Sequence, residues 1–282
     1  MQEQRGPVRL VASDMDGTIV GAGNSISERT VRAFHACRAA GIDIVFVTGR
    51  PPRWLDPLRK RIGHEGTVIC SNGAITYDLA SDEVLASNLL PLEQMFAAAD
   101  VIRGLFPAVT FAAETVDGIH LEPGFADTGS AEILGGIVPQ PLRESLAGHP
   151  GVAKFLARAT GITPDAFLHR VAPAVSDLVA ATHSAPSMPL LEMSLPGLNK
   201  AVTLADYAAR KGISAHEVVA FGDMPNDIQM LEWAGRGYAM ASGHPAAQAA
   251  ADRTAPGLND DGVAVILEQL LDRSAASEAG AR

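Results

Sequence analysis

The run Val8-Arg9-Leu10-Val11-Ala12-Ser13-Asp14-Met15-Asp16-Gly17-Thr18 decides the fold. Val8 to Ser13 is a short, mostly apolar stretch that ends on two carboxylates and a glycine, as a buried parallel strand does where it opens into a functional loop. Side chains two apart on an extended segment point the same way, so Asp14 and Asp16 can face one ligand beyond the end of this strand. Adjacent carboxylates repel, and keeping both ionised near neutral pH calls for a cation. A hard Mg²⁺ with oxygen ligands is the economical choice. One carboxylate could then attack phosphorus while its neighbour, partly shielded and protonated, donates a proton to the leaving oxygen. Gly17-Thr18 allows a tight turn back over the site, with Thr18 free to donate a hydrogen bond. An Asp-Gly pair also makes ordinary turns, so the rest of the chain has to discriminate.

Working outward, Ser27 to Ala40 reads as a helix with Ser27 as N-cap and Gly41 as stop. A second strand, Ile42 to Val47, ends at Thr48-Gly49-Arg50. There a hydroxyl and backbone N–H groups at the start of a helix over Pro52 to Arg61 would cradle an anion. A third apolar run, Thr67 to Cys70, ends at Ser71-Asn72-Gly73. This β-α-β-α-β order predicts a parallel sheet with right-handed crossovers and ligands outside the carboxyl ends of its strands.

From about Leu85 the texture changes. A helix over Leu92 to Leu105 leads to Val109 to Leu121, a hairpin about Asp117-Gly118. Val152 to Ala157 reads as a strand, Pro164 to Val171 as a helix, and Leu178 to Thr182 and Leu190 to Leu195 as further strands. The alternating pattern resumes with a helix over Lys200 to Lys211 and a strand over Val218 to Phe221 that ends at Gly222-Asp223. A helix over Asp227 to Trp233, a strand over Gly237 to Met240, helices over His244 to Ala251 and Gly262 to Leu271, and a small polar tail from Ser274 to Arg282 complete it. The expected organisation is a discontinuous α/β core, residues 1–84 and 189–282, interrupted by an α+β insert at 85–188.

Composition narrows the function classes. The 282 residues carry a formal charge of -10, and no Lys/Arg cluster follows one face, which argues against nucleic acid. An anionic substrate would therefore need a local cation. No run of about 18 apolar residues exists, so no membrane span is expected. Cys37 and Cys70 lack the spacing of a zinc site or disulfide framework, and buried free thiols in a cytoplasmic protein are the expectation. The eight histidines show no ligand spacing, and neither a dinucleotide fingerprint nor a P-loop is present.

Two further features complete the constellation. Lys200, at the head of its helix, is a point cation suited to phosphate oxygens and to transition-state charge. Gly222-Asp223-Met224-Pro225-Asn226-Asp227 closes its strand with two more acids and an amide. Asp223 would supply a metal carboxylate, and Asn226 or Asp227 would hold water or orient Lys200, although these residues could equally cap a helix. In order, Asp14-Met15-Asp16-Gly17-Thr18, Thr48-Gly49-Arg50, Lys200 and Gly222-Asp223 with Asn226-Asp227 resemble the four motifs of the haloacid dehalogenase superfamily. Ser71-Asn72-Gly73-Ala74, the long insert and the closing Asn259-Asp260-Asp261-Gly262-Val263-Ala264 resemble its Cof-type phosphatases. The chain departs from the common pattern at Pro225 and at Ala201, where glycine is frequent.

The resemblance implies a Rossmann-like core with an α+β cap and hydrolysis of a small phosphomonoester, such as a sugar phosphate, with Mg²⁺. It makes Asp14 the nucleophile and a metal ligand, and Asp16 the acid/base that binds metal through its backbone carbonyl. Asp223 becomes a further metal ligand, and Thr48, Gly49, Lys200 and Asn226 become contacts to the phosphoryl group or its water. Asp227 takes a supporting role behind them. Phosphoryl transfer to a sugar hydroxyl on the same core, or ligand binding without turnover, are the rival expectations. Partners would be small phosphorylated metabolites, with the chain a monomer or homodimer. Arg50 is expected to pair with an acid, while Glu114, His120 and Arg158 are candidates in the insert.

Overall fold

A computed structural model describes residues 7–63, 66–126, 137–185 and 187–280. Along the chain run β1 (Leu10–Ser13), α1 (Glu28–Ala39), β2 (Asp43–Val47), α2 (Asp56–Arg61), β3 (Thr67–Cys70), β4 (Ile75–Asp78) and β5 (Glu83–Ser87). Next come α3 (Leu92–Leu105), β6 (Thr110–Glu114), β7 (Ile119–Leu121), α4 (Leu142–Ser145), β8 (Lys154–Arg158), α5 (Pro164–Val175), β9 (Ala180–Thr182) and β10 (Leu190–Ser194). The chain closes with α6 (Lys200–Arg210), β11 (Val218–Gly222), α7 (Ile228–Trp233), β12 (Arg236–Met240), α8 (Pro245–Ala250), β13 (Arg253–Ala255) and α9 (Gly262–Gly280).

The chain divides into two compact units, residues 1–85 with 200–282, and 86–199. In the first, the strand order is β13-β12-β11-β1-β2-β3-β4-β5 among the described residues. β13 through β3 run parallel, and β4 turns back antiparallel on β3. β1 lies between β2 and β11, in register Leu10 with Asp43 on one side and Val218 on the other. Strand order reverses at that point, and a parallel sheet opens a crevice there.

Both faces of this sheet are covered, so its central strands are mostly apolar. Leu10, Ala12, Val45, Val47, Val218 and Ala220 join one buried cluster with Leu204 and Ala208 of α6, Met230 and Leu231 of α7, and Ala247 of α8. On the other face Phe34 of α1 packs edge-on against Phe46, with ring centroids 5.2 Å apart, and α1 packs against α9. Ser27 caps α1 by accepting the Thr30 N–H, as its sequence position predicts. Among the described residues, no helix is long and apolar enough to cross a membrane.

The second unit is built on an antiparallel sheet of order β7-β6-β8-β10-β9. Phe111, Phe155, Ala157, Leu191 and Met193 point from it into one apolar cluster with Met95 and Ile102 of α3 and Phe167 and Val171 of α5.

Several expectations are corrected. The return to the core comes after Asn199, not after Met188, because β10 pairs with β8 and β9 and buries Leu191 and Met193 in the insert's own cluster. The last helix runs to Gly280, well past Leu271, through a tail whose alanines favour helix; Ala281 and Arg282 lie outside the described residues. β4, β5, β13 and α4 are additional short elements. Past Thr48-Gly49-Arg50 no α-helix begins directly. A 3₁₀ turn over Pro52–Trp54 intervenes, and α2 opens at Asp56.

Candidate active site

The carboxyl ends of β1, β2, β3 and β11 carry Asp14, Thr48, Ser71 and Asp223 respectively, each one residue past its strand or, for Asp223, past Gly222. Asp14 continues the ladder by donating its N–H to Phe221 O at 2.9 Å, which fixes it beside β11. Lys200, the first residue of α6, is fully buried, and its Nζ donates to Asp14 Oδ1 at 2.5 Å and to Asp227 Oδ1 at 2.6 Å. The other Asp227 oxygen accepts the backbone N–H groups of Asp223 and Met224, each at 2.9 Å. One carboxylate thus aims the lysine and shapes the loop.

Asp223 accepts a hydrogen bond from Thr18 Oγ1 at 2.9 Å, so the turn after β1 closes onto the loop after β11. Gly17 makes that approach possible. Its φ is +81°, and a Cβ there would stand 2.1 Å from Asp223 Oδ2. Gly222 serves likewise, since a Cβ would lie 2.5 Å from Cβ and Cγ of Asp227.

The electrostatics follow from burial. Desolvation, helped by Asp227 and Asp223, raises the Asp14 carboxyl well above its ordinary range against the pull of Lys200. Asp223 is pushed up to about 7 by burial and by the neighbouring Asp227. Burial opposes the charge on Lys200, but Asp14 and Asp227 overcome it and hold the ammonium above its usual range. One ammonium therefore faces three buried carboxylates.

The carboxylate oxygens of Asp14, Asp223 and Asp227 lie within 4.8 Å of one another, and such an all-oxygen set under-compensated in charge fits a hard divalent cation. Asp227 already uses both oxygens, on Lys200 and on backbone N–H groups, so Asp14 and Asp223 have more to offer the ion.

Of the residues expected at the site, Asp14, Lys200, Asp223 and Asp227 are brought together. Thr48 is buried, with its Oγ1 accepting the Arg50 N–H at 3.0 Å, and Gly49 forms the bend between them. Asn226 is buried, and its Nδ2 donates to Asn72 Oδ1 at 3.1 Å, which leaves Oδ1 without a partner. That unpartnered oxygen is an acceptor and suits a donor such as water. Asp16 does not join the buried cluster. Its side chain is 56% exposed and is clasped by Arg50 through Nε at 2.7 Å and Nη2 at 2.5 Å. Arg50 is fixed in turn by Asn24 Oδ1 and Trp54 O. The Asn72 contact with Asn226 has no pairwise signal in the sequence, because it joins residues 154 positions apart.

Comparison with known proteins bears on the family and the fold. The sequence pattern of the haloacid dehalogenase-like hydrolases matches residues 11–267. The chain is 27% identical to 5-amino-6-(5-phospho-D-ribitylamino)uracil phosphatase YitU of Bacillus subtilis, over 92% of this chain and 96% of that protein. It is 25% identical to the pyridoxal phosphate phosphatase YbhA of Escherichia coli, over 86% and 92%. The solved structure of BT1666 from Bacteroides thetaiotaomicron superposes with a TM-score of 0.78 at 22% identity, covering 96% of this chain and 97% of the other.

Proposed function

We propose, from the premise that this chain belongs to the haloacid dehalogenase-like hydrolases of the Cof type, that it is a Mg²⁺-dependent phosphatase forming an aspartyl-phosphate on Asp14. The observation that carries this reading is the buried Lys200 ammonium bridging Asp14 and Asp227 beside Asp223. Lys200 compensates part of the charge of a carboxylate nucleophile at the end of a central strand, and a bound cation would compensate the rest.

In the proposed reaction an Asp14 oxygen forms a bond to phosphorus as the bond to the ester oxygen breaks, and the departing oxygen takes a proton. Asp16 is the group to supply that proton, which requires its pair with Arg50 to open first. Water then attacks the acyl-phosphate, gives its proton to Asp16 and releases phosphate, so Asp14 is regenerated. Lys200 offsets charge on the phosphoryl oxygens throughout, and Thr48 and Gly49 line the adjacent loop. Asp14, Asp223 and the Asp16 backbone carbonyl would hold Mg²⁺, which when bound supplies charge neutralisation for the phosphoryl oxygens.

The substrate class is a small phosphorylated metabolite, a sugar phosphate or a similar phosphomonoester. The names of the two enzymes compared support this, since both are phosphatases of small polar phosphoesters. Two buried free thiols, with the Cys37 thiol pushed up to about 11 by burial, suit a reducing compartment such as the cytoplasm.

The test is phosphate release across a panel of phosphorylated metabolites with Mg²⁺. Asp14→Asn should lower turnover by about 10³-fold or more, and chelation should abolish a rate that added Mg²⁺ restores. Full turnover by Asp14→Asn would overturn the mechanism.

A further inference from the structure

Past β3 the backbone enters the left-handed region at three successive residues, with φ of +50° at Ser71, +57° at Asn72 and +106° at Gly73. Two of these carry a Cβ, and side chains hold such a conformation only where surroundings impose it. Here they do. Ser71 N–H donates to Arg50 O at 3.0 Å, and Asn72 N–H donates to Thr48 O at 3.0 Å. Gly73 O accepts from the Thr203 hydroxyl at 2.8 Å, and Asn72 Oδ1 accepts from Asn226 Nδ2 at 3.1 Å.

Each partner belongs to a segment that carries part of the site. Thr48 and Arg50 flank the loop after β2, Thr203 lies one turn along the helix headed by Lys200, and Asn226 sits between Asp223 and Asp227. One short turn therefore ties three loops or helix ends whose side chains must meet to within a fraction of an ångström. A second observation points to a ligand. Asn226 Oδ1 is buried without a partner, an arrangement that costs stability unless a bound group supplies a donor.

We propose that the Ser71-Asn72-Gly73 turn is a positioning element of the phosphoryl site, in which the Asn72 amide orients Asn226 so that its free Oδ1 receives an O–H donor in the bound state. The proposal rests on the phosphatase reading above. Asn72 acts through Asn226, so its loss should slow turnover and leave substrate binding nearly intact.

The experiment is steady-state kinetics on Asn72→Gly, Asn226→Ala and the double variant, each with its melting temperature. Glycine at 72 keeps the left-handed backbone and removes only the amide. Each single variant should lower kcat by about 10-fold or more with KM changed little, and the double should lose no more than either single, since both sever one link. Wild-type kcat in Asn72→Gly, or losses that multiply in the double, would overturn the proposal. Should Asn72→Gly not fold, Asn226→Ala cuts the same link with the turn intact, and an unchanged kcat there would overturn it equally. Wild-type protein that releases no phosphate from any ester sinks the phosphatase reading and this proposal with it. Wild-type release with an unaltered Asn72→Gly sinks the proposal alone.

Discussion

The two units bury their charges in different places. In the core, the strands that lead to the site, β1, β2, β3 and β11, carry no charged residue beyond Asp43 at the entry of β2. The charge lies past their ends, where Lys200 meets Asp14 and Asp227. In the insert the charge sits on the strands themselves: Glu114 on β6, Lys154 on β8 and Glu192 on β10 alternate with the apolar residues of the helix-covered face. Lys154 Nζ lies 2.9 Å from Glu192 Oε2, Ser184 donates to the other oxygen of Glu192, and Glu114 stands directly across from Lys154.

The difference follows from sheet type. A parallel sheet covered on both faces leaves only its strand ends for polar chemistry, whereas the second face of this antiparallel sheet carries charge beside a small apolar cluster of Ala112, Leu121 and Leu156. A buried lysine consequently means different things in the two units. At the strand ends one lysine meets three clustered carboxylates beyond the sheet, while on the strand face Lys154 stands between glutamates of its two neighbouring strands.

Removing each lysine in turn separates the two roles. Lys200→Met strands two buried carboxylates and should abolish phosphate release while costing about 3–5 kcal/mol of stability. Lys154→Met should also lower stability, read by denaturant unfolding, yet leave turnover of a small chromogenic phosphoester near wild type. Loss of that turnover in Lys154→Met would erase the distinction.

A smaller effect concerns pH. The Asp223 carboxyl is raised to about 7 in the fold from an ordinary value of 3.8, so the folded state holds a proton that the unfolded chain gives up between those values. Its contribution is present below the unfolded pKa and is lost as pH rises through about 7. Metal-free protein should therefore become less stable across that window, and Mg²⁺ should raise the melting temperature more at pH 8 than at pH 5. A Mg²⁺ shift that does not grow with pH would separate Asp223 from the metal. The smallest effect is that of Thr18→Val, which removes a hydrogen bond worth about 1 kcal/mol. It should also weaken Mg²⁺ binding measured by calorimetry, because that bond favours the ionised carboxylate.

These effects fall on residues whose legibility in the sequence differs for physical reasons. Asp14, Thr48 and Asp223 are readable because each ends an apolar run, and a run that stops on a polar residue marks a strand end whatever its neighbours do. Lys200 is readable only by its order among them. The Arg50 clasp on Asp16 is legible only as a pairing with an unspecified acid, because it joins residues 34 positions apart on different strand ends. The return boundary lies one strand later than the alternation predicts. Leu190–Ser194 has the same alternation on either side of a domain border, and only pairing with β8 and β9 assigns it to the insert. The tie between Asn72 and Asn226 needs the register of β1 with β11, which no local pattern encodes.

The position of β1 between β2 and β11 also has a consequence for how the protein is made. β2 follows β1 closely, but the groups that complete the surroundings of Asp14 come far later, Asp223 lying 205 positions beyond Thr18. While the insert is being synthesised, one edge of β1 lacks its neighbour and its apolar faces lack the helices α6 to α9. Such an edge invites wrong pairing, and long-range strand contacts form slowly. The first motif to leave the ribosome is thus among the last to reach its working form, and a nascent chain stopped before β11 holds Asp14 without the lysine's second carboxylate or the Asp223 loop.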